Sequence, residues 1–134
     1  MHFPHLTGLF QEARIDDCIV CHIDQAIAQK LGARRGKVLI SHDTMRKQAR
    51  KHPDLTLDHY RALPMALERG EYRWDPPKSA IVIFVDEHCF NTTFRACVKA
   101  TRDGRLYVVS FNRMRDRHAA KERRREHAVI RAHL

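Results

Sequence analysis

The stretch Arg95 to Ser110 carries two cations and two hydroxyls at alternating positions, the spacing that gathers side chains onto one side of a β-hairpin. Asp103-Gly104 reads as a two-residue turn between alternating runs. That turn sets Arg102 opposite Arg105, Lys99 opposite Val108, Val98 opposite Val109 and Cys97 opposite Ser110. One side of the ribbon then holds Phe94, Ala96, Val98, Ala100, Tyr107, Val109 and Phe111, the expected core face. The other holds Arg95, Cys97, Lys99, Thr101, Leu106, Val108 and Ser110, the expected working face. Lys99 and Arg95 amid Cys97, Leu106 and Val108 make a surface too apolar for a simple wet face and suited to a phosphodiester.

Cleaving RNA without a metal requires a base for the ribose 2′-hydroxyl proton, an acid for the departing 5′-oxygen and cations for the phosphorane. The sheet supplies the cations, and a histidine can supply the acid or base. His52 is the preferred histidine. Pro53 ends a helix there and leaves His52 beside the negative end of its dipole, which favours the imidazolium. His52 can equally serve as a cap on the last carbonyls of that helix. His42 reads as a capping or surface residue, and His88 as a solvent-exposed turn residue. Arg123, Arg124 and Arg125 form a basic run that would ordinarily be a solvated helix face, and on a basic protein can hold phosphates.

Other chemistries find less support. Cys18-Ile19-Val20-Cys21-His22 matches C-x-x-C-H, a haem-attachment pattern and half of a zinc site. There is no second C-x-x-C, and the simpler reading is a buried strand with free cysteines packing as small hydrophobes. No metal site and no cofactor is expected. Walker, G-x-S-x-G, H-E-x-x-H and dinucleotide motifs are missing. Asp16-Asp17 and Asp86-Glu87 are adjacent pairs whose side chains diverge, so they read as solvated loop ends rather than a two-metal cluster.

The elements that must position these residues follow from caps and periodicity. Leu6 to Ala13 reads as a short helix and Cys18 to Ile23 as a strand. Asp24 to Leu31 reads as a helix with Asp24 as N-cap and Gly32 as terminator. Lys37 to Ile40 is extended, and Ser41 caps a helix reaching about Lys51. Thr56 caps the next, Pro64 can begin a second short segment and Gly70 closes the unit. Ser79 to Val85 is apolar on both faces, as a central strand is. The expected fold is therefore α+β, with N-terminal helices on one face of a mainly antiparallel sheet and a basic C-terminal helix.

The chain of 134 residues suits a single domain, divided into a lead-in over 1–36, a core over 37–112 and a basic helical tail over 113–134. Lys plus Arg is 25 against 16 acids, a net charge of +9, and the tail alone holds eight of the cations against three acids. Such a surplus points to a polyanion, with nucleic acid first. No membrane span or secretory signal is evident, and four cysteines are too few for a disulfide scaffold, so a reducing cytoplasm is expected.

Three stretches carry a family resemblance: Val38-Leu39-Ile40-Ser41-His42-Asp43-Thr44; Lys51-His52-Pro53-Asp54-Leu55 with Asp58-His59-Tyr60-Arg61-Ala62-Leu63-Pro64; and Val98-Lys99-Ala100-Thr101-Arg102-Asp103-Gly104 with Val109-Ser110-Phe111. Together they resemble the phage-type nuclease domains of the barnase, EndoU, colicin and RelE-like superfamily, over about Val38 to Arg115, with Ile23 to Gly36 similar to the lead-in of phage-encoded members. The resemblance implies a metal-independent ribonuclease that leaves a 2′,3′-cyclic phosphate, with catalysis on the sheet face opposite the helices. By position it implies His52, Lys99 and Ser110 as catalytic residues. Arg95 and Thr101 join them as phosphate-binding residues by their place on the working face. Glu87 lies at a strand end, so the sheet shows no clear glutamate base. The expected substrate is tRNA or another RNA, in a toxin or phage accessory protein whose further partner would be an acidic antitoxin or immunity protein. The competing expectation is a non-catalytic nucleic-acid-binding module, against which stands an aromatic content of only 7%.

Overall fold

A computed structural model describes residues 17–114 and 128–134. The expected helix at Leu6 to Ala13 and the Arg123, Arg124, Arg125 run lie outside the described residues. In chain order the elements are β1 (Cys18–His22), α1 (Gln25–Lys30), β2 (Lys37–Ile40), α2 (His42–Lys51), α3 (Leu57–Tyr60), α4 (Ala62–Arg69), β3 (Glu71–Asp75), β4 (Ser79–Asp86), β5 (Thr92–Ala100), β6 (Leu106–Met114) and β7 (Val129–Arg131). The fold is α+β, around one seven-stranded sheet of order β1-β2-β6-β5-β4-β3-β7. Every neighbouring pair is antiparallel except β2 and β6, which run parallel.

Local chemistry starts and stops the helices where the sequence indicates. The Asp24 carboxylate accepts from Ala26 N at 2.8 Å, and Gly32 leaves α1 at a φ of +91°. Ser41 Oγ accepts from Thr44 N at 3.0 Å to open α2, which ends at His52 before Pro53. Thr56 opens α3, and its backbone N–H donates to His59 Nδ1 at 2.9 Å, so a histidine ring completes the capping box. Pro64 sits in the first turn of α4, where a missing N–H breaks no helical bond. Gly70 closes α4 because nothing larger fits. A Cβ there would lie 2.5 Å from the Ala66 carbonyl oxygen and 2.6 Å from Val82 Cγ1.

The helices cover one face of the sheet. Ile27, Leu31, Met45, Tyr60, Leu63 and Leu67 pack against Val38, Ile40, Tyr72, Val82, Phe94, Val98, Leu106, Val108 and Phe111 in one core. The Phe94 and Phe111 rings stack at 5.1 Å, and Tyr60 leans on Phe111 at 5.5 Å. β1 and α1, expected as a lead-in, are integral to this core through Cys18, Val20, Ile27 and Leu31.

Three expectations need correction. Glu71–Asp75 is a strand that the sequence reading leaves unassigned; it pairs with β4 on one side and β7 on the other. The described part of the C-terminal tail is not helical. Arg113 and Met114 finish β6, and β-branched Val129 and Ile130 form a strand that pairs with β3. A thin apolar stripe gives a helix little to bury, whereas β3 offers a row of unpaired backbone groups. The third correction is the hairpin. Its loop has three residues rather than two, with Thr101 N donating to the Arg105 carbonyl at 2.8 Å, Gly104 N donating to the Thr101 carbonyl at 3.1 Å and Gly104 at a φ of +82°. Lys99 therefore faces Tyr107, and Val98 faces Val108. An extra residue, Val109, then restores the expected pairing of Cys97 with Ser110. Leu106 and Val108 thus belong to the core, while Tyr107 and Val109 leave it.

The edge of β6 is completed by a side chain. β2 pairs with β6 only as far as Val108. Beyond it, Phe111 N donates to Gln48 Oε1 at 3.2 Å, and Gln48 Nε2 donates to the Phe111 carbonyl and, at 3.1 Å, to the Tyr60 hydroxyl. Gln48 is only 4% exposed, so no water replaces these bonds. Substituting Gln48→Leu leaves two buried backbone groups unpaired and should cost about 2–5 kcal/mol. Urea unfolding should show this as a lower midpoint with an unchanged slope; an unmoved midpoint would refute the pairing.

Candidate nucleic-acid interface on the open sheet face

A depression of about 450 Å³ lies at the β5–β6 margin of the sheet, where four elements meet. Lys99 comes from β5 and Tyr107 from β6, as cross-strand partners. Asp17 comes from the residue before β1, and Ser41 and Thr44 from the start of α2. A chain of polar contacts runs along its margin. Thr101 Oγ1 donates to Asp103, whose other oxygen lies 3.1 Å from Arg105 Nε. Arg105 in turn lies beside the Tyr107 phenol, whose O–H donates to the Asp17 carboxylate.

The electrostatics follow from these contacts. Burial and the bond to Asp17 push the Tyr107 phenol up, so it stays protonated at neutral pH. The Thr101 hydroxyl, followed by the Arg105 charge, holds the Asp103 carboxyl below its usual range. Arg105 is held above its usual range, chiefly by the Tyr107 phenol and then by Asp103. Lys99 is exposed beside this network.

The structure distributes the sequence candidates unevenly. Arg95, Lys99 and Ser110 share the face opposite the helices, as expected, with Cys97 between the two cations and opposite Ser110; that face is exposed at Lys99 and closed at Ile81 and Ile83, the cross-strand partners of Cys97 and Arg95, each only 2% exposed. Lys99 and Arg95 are four residues apart, about 13 Å along the strand, and Ser110 and Arg95 lie outside the depression. Thr101 lines the depression, but its one hydroxyl proton goes to Asp103 and its oxygen accepts from Arg105 N at 3.1 Å, so it holds the hairpin loop. His52 caps the far end of α2, whose first turn reaches the depression. Ten helical residues, about 15 Å, separate the two ends, so His52 is not brought to Lys99.

Two groups at the site escape the sequence reading. Tyr107 falls on the core face if the loop has two residues; Thr101 and Asp103, both able to bond backbone, and a left-handed glycine after them are the signal for the longer loop. Asp17 reads as a solvated loop end because its partner lies 90 residues away. No local pattern encodes that contact.

Cys18 and Cys21 are packed in the core, and burial pushes the Cys21 thiol up to about 12. Among the described residues no three His, Cys, Asp or Glu side chains converge as metal ligands would. Burial also raises the Cys97 thiol, against the pull of Arg95 and Lys99. His88 is exposed, its N–H bonded to the Asp86 carboxylate at 3.1 Å. His42, half-buried in the first turn of α2, has its Nε2 buried without a hydrogen-bond partner, and Ser41 rather than His42 caps the helix. Among the described residues no helix is long and apolar enough to cross a membrane. Compared with known families, curated proteins and solved structures, the chain matches none.

His59 adds a pH dependence to the helix side of the scaffold, where its ring lies near Phe90 and Phe94. Its Nδ1 accepts from Thr56 N only when unprotonated, and burial, followed by the Arg113 charge, holds its pKa below the usual value. A depressed folded-state pKa contributes stability that is whole above the unfolded value, about 6.5, and is lost as pH falls through the folded one. The urea midpoint should therefore drop between about pH 7.5 and pH 5. In His59→Gln, whose amide can accept the same bond at any pH, this part of the drop should vanish; an identical decline in both proteins would remove His59 as the cause.

Proposed function

We propose that this protein binds RNA across the open sheet face and cleaves it without a metal, by attack of the ribose 2′-hydroxyl on the adjacent phosphorus. The observation that carries this reading is the meeting of Lys99, Tyr107 and Asp17 in one depression on a basic protein. Asp17 takes the 2′-hydroxyl proton as the 2′-oxygen bonds phosphorus. Lys99 and Arg105 offset the charge of the phosphorane. The bond from phosphorus to the 5′-oxygen breaks, and that oxygen takes the phenol proton of Tyr107, a downhill transfer because an alkoxide is far more basic than a phenolate. The proton gained by Asp17 returns to Tyr107 along the hydrogen bond joining them, which restores both groups. Ser110 and Arg95, further along the face, hold the flanking backbone. The resemblance to the barnase, EndoU, colicin and RelE-like nuclease domains supports the same reaction. In this reading His52 gives up the acid-base role to the Asp17–Tyr107 pair, and an acidic antitoxin or immunity protein is the protein partner that would cover a basic face.

Non-catalytic binding of nucleic acid is the second reading, favoured by the helix length that separates His52 from Lys99. The two are told apart by one assay. Total tRNA incubated in EDTA should yield fragments ending in 2′,3′-cyclic phosphate. Lys99→Ala and Asp17→Asn should each slow this by about 100-fold, with binding weakened far less by the second. Binding that weakens steeply between about 50 and 200 mM salt while the RNA stays intact would establish the second reading and overturn the first.

A further inference from the structure

A second depression, of about 550 Å³, lies on the open face at the hairpin end of the sheet, and Arg34, Arg35, Lys37 and Arg105 converge on it. Among the described residues that line it, one carboxylate faces these four cations, that of Asp103, already bonded to Thr101 and Arg105; Asp17, outside the depression, adds its charge at Arg105. Like charges on free side chains would drift apart, but here backbone contacts hold them. Arg34 N donates to the Gly104 carbonyl at 2.8 Å, Gln25 Nε2 donates to the Arg34 carbonyl at 2.8 Å, and Gly36 N donates to Gln25 Oε1 at 3.1 Å. The Arg34 stem lies on Gly104, where a Cβ would come within 2.6 Å of its Cγ. The backbone over 34–36 is thus pinned to the hairpin tip, so that the roots of Arg34 and Arg35 are set beside the depression before any ligand arrives.

We propose that this depression binds a terminal phosphomonoester of RNA, a role that rests on the RNA reading above and adds to it. Four cations against one carboxylate among the described lining residues exceed what a single phosphodiester neutralises, whereas a monoester carries about −1.5 to −2 and offers three acceptor oxygens to forked guanidinium donors. The site is tied to the first depression, because Arg105 lines this one and Tyr107, two residues on, lines the other. Along the sheet the two positions are two residues apart, about 7 Å. A chain end held by the arginines therefore lays its neighbouring nucleotides over Lys99, and cleavage falls close to that end.

The test uses one short oligoribonucleotide with 5′-phosphate, 3′-phosphate or only hydroxyl ends, and a circular form without ends. At least one phosphorylated form should bind about tenfold more tightly than the hydroxyl form, which is 1.4 kcal/mol. The gain should survive Lys99→Ala and disappear in Arg34→Gln/Arg35→Gln, substitutions that keep much of the stem packing. Equal affinity of phosphorylated, hydroxyl and circular forms would overturn the proposal and leave the RNA reading standing. Titrating the unaltered protein with adenosine 5′-monophosphate, followed by amide NMR, tests the site without RNA cleavage and without a variant. The Arg34, Gly104 and Arg105 signals should shift, and should not shift with adenosine. Still signals with the monophosphate would reject the site; shifting signals in a protein that neither binds nor cuts hydroxyl-ended RNA would reject the RNA reading alone.

Discussion

Strand β6 changes partner at Val109, and the rest of the molecule is arranged around that change. As far as Val108 its outer edge pairs with β2; at Phe111 it pairs with the amide of Gln48. Between them sits one unmatched residue, which turns the strand and shifts its alternation by one. On one side of the bulge Leu106 and Val108 face the helices, and on the other Phe111 does so. Without the extra residue, a strand of strict period two would send one of these sets to solvent. The three-residue loop places Tyr107 opposite Lys99 and the bulge then returns Ser110 to Cys97, so core packing and the candidate site are settled by the same strand.

The helix-covered face and the face that bears Lys99 give the two sides of the sheet different work. The covered side gains its stability from burial of Phe94, Val98, Leu106, Val108 and Phe111 against α2, α3 and α4. That rigid side frees the other to hold like charges close together. Arg34, Arg35, Lys37, Lys99 and Arg105 line two neighbouring depressions against Asp17 and Asp103. Such an arrangement repels itself in the free protein and is relieved by a polyanion, which links the fold to the proposed function through electrostatics rather than through shape. The polar chain from Asp103 through Arg105 and Tyr107 to Asp17 runs between the depressions and couples their charges.

Much of the architecture was legible from local chemistry. Asp24, Ser41 and Thr56 open helices because their side-chain oxygens satisfy a first-turn N–H, and Gly32 and Gly70 close them for reasons of backbone geometry. The alternation on β5 placed Arg95 and Lys99 on the open face, since a regular strand keeps period two. The tail was not legible in this way. Val129–Arg131 is a strand because β3 needs a partner, and β3 has an open edge only after the sheet exists.

The sequence by itself determined the α+β class, the helix starts at Asp24, Ser41 and Thr56, the place of the turn before Gly104 and the basic surplus, because each depends on contacts within a few residues or on composition. Tertiary structure alone decided which residues stand together. It joined Asp17 to Tyr107 across 90 positions, closed the β6 edge with Gln48 and parted His52 from Lys99 by the length of α2. The physical reason is that a hydrogen bond or an ion pair depends on distance in space, and the pairing register that fixes those distances turned on one residue, Val109.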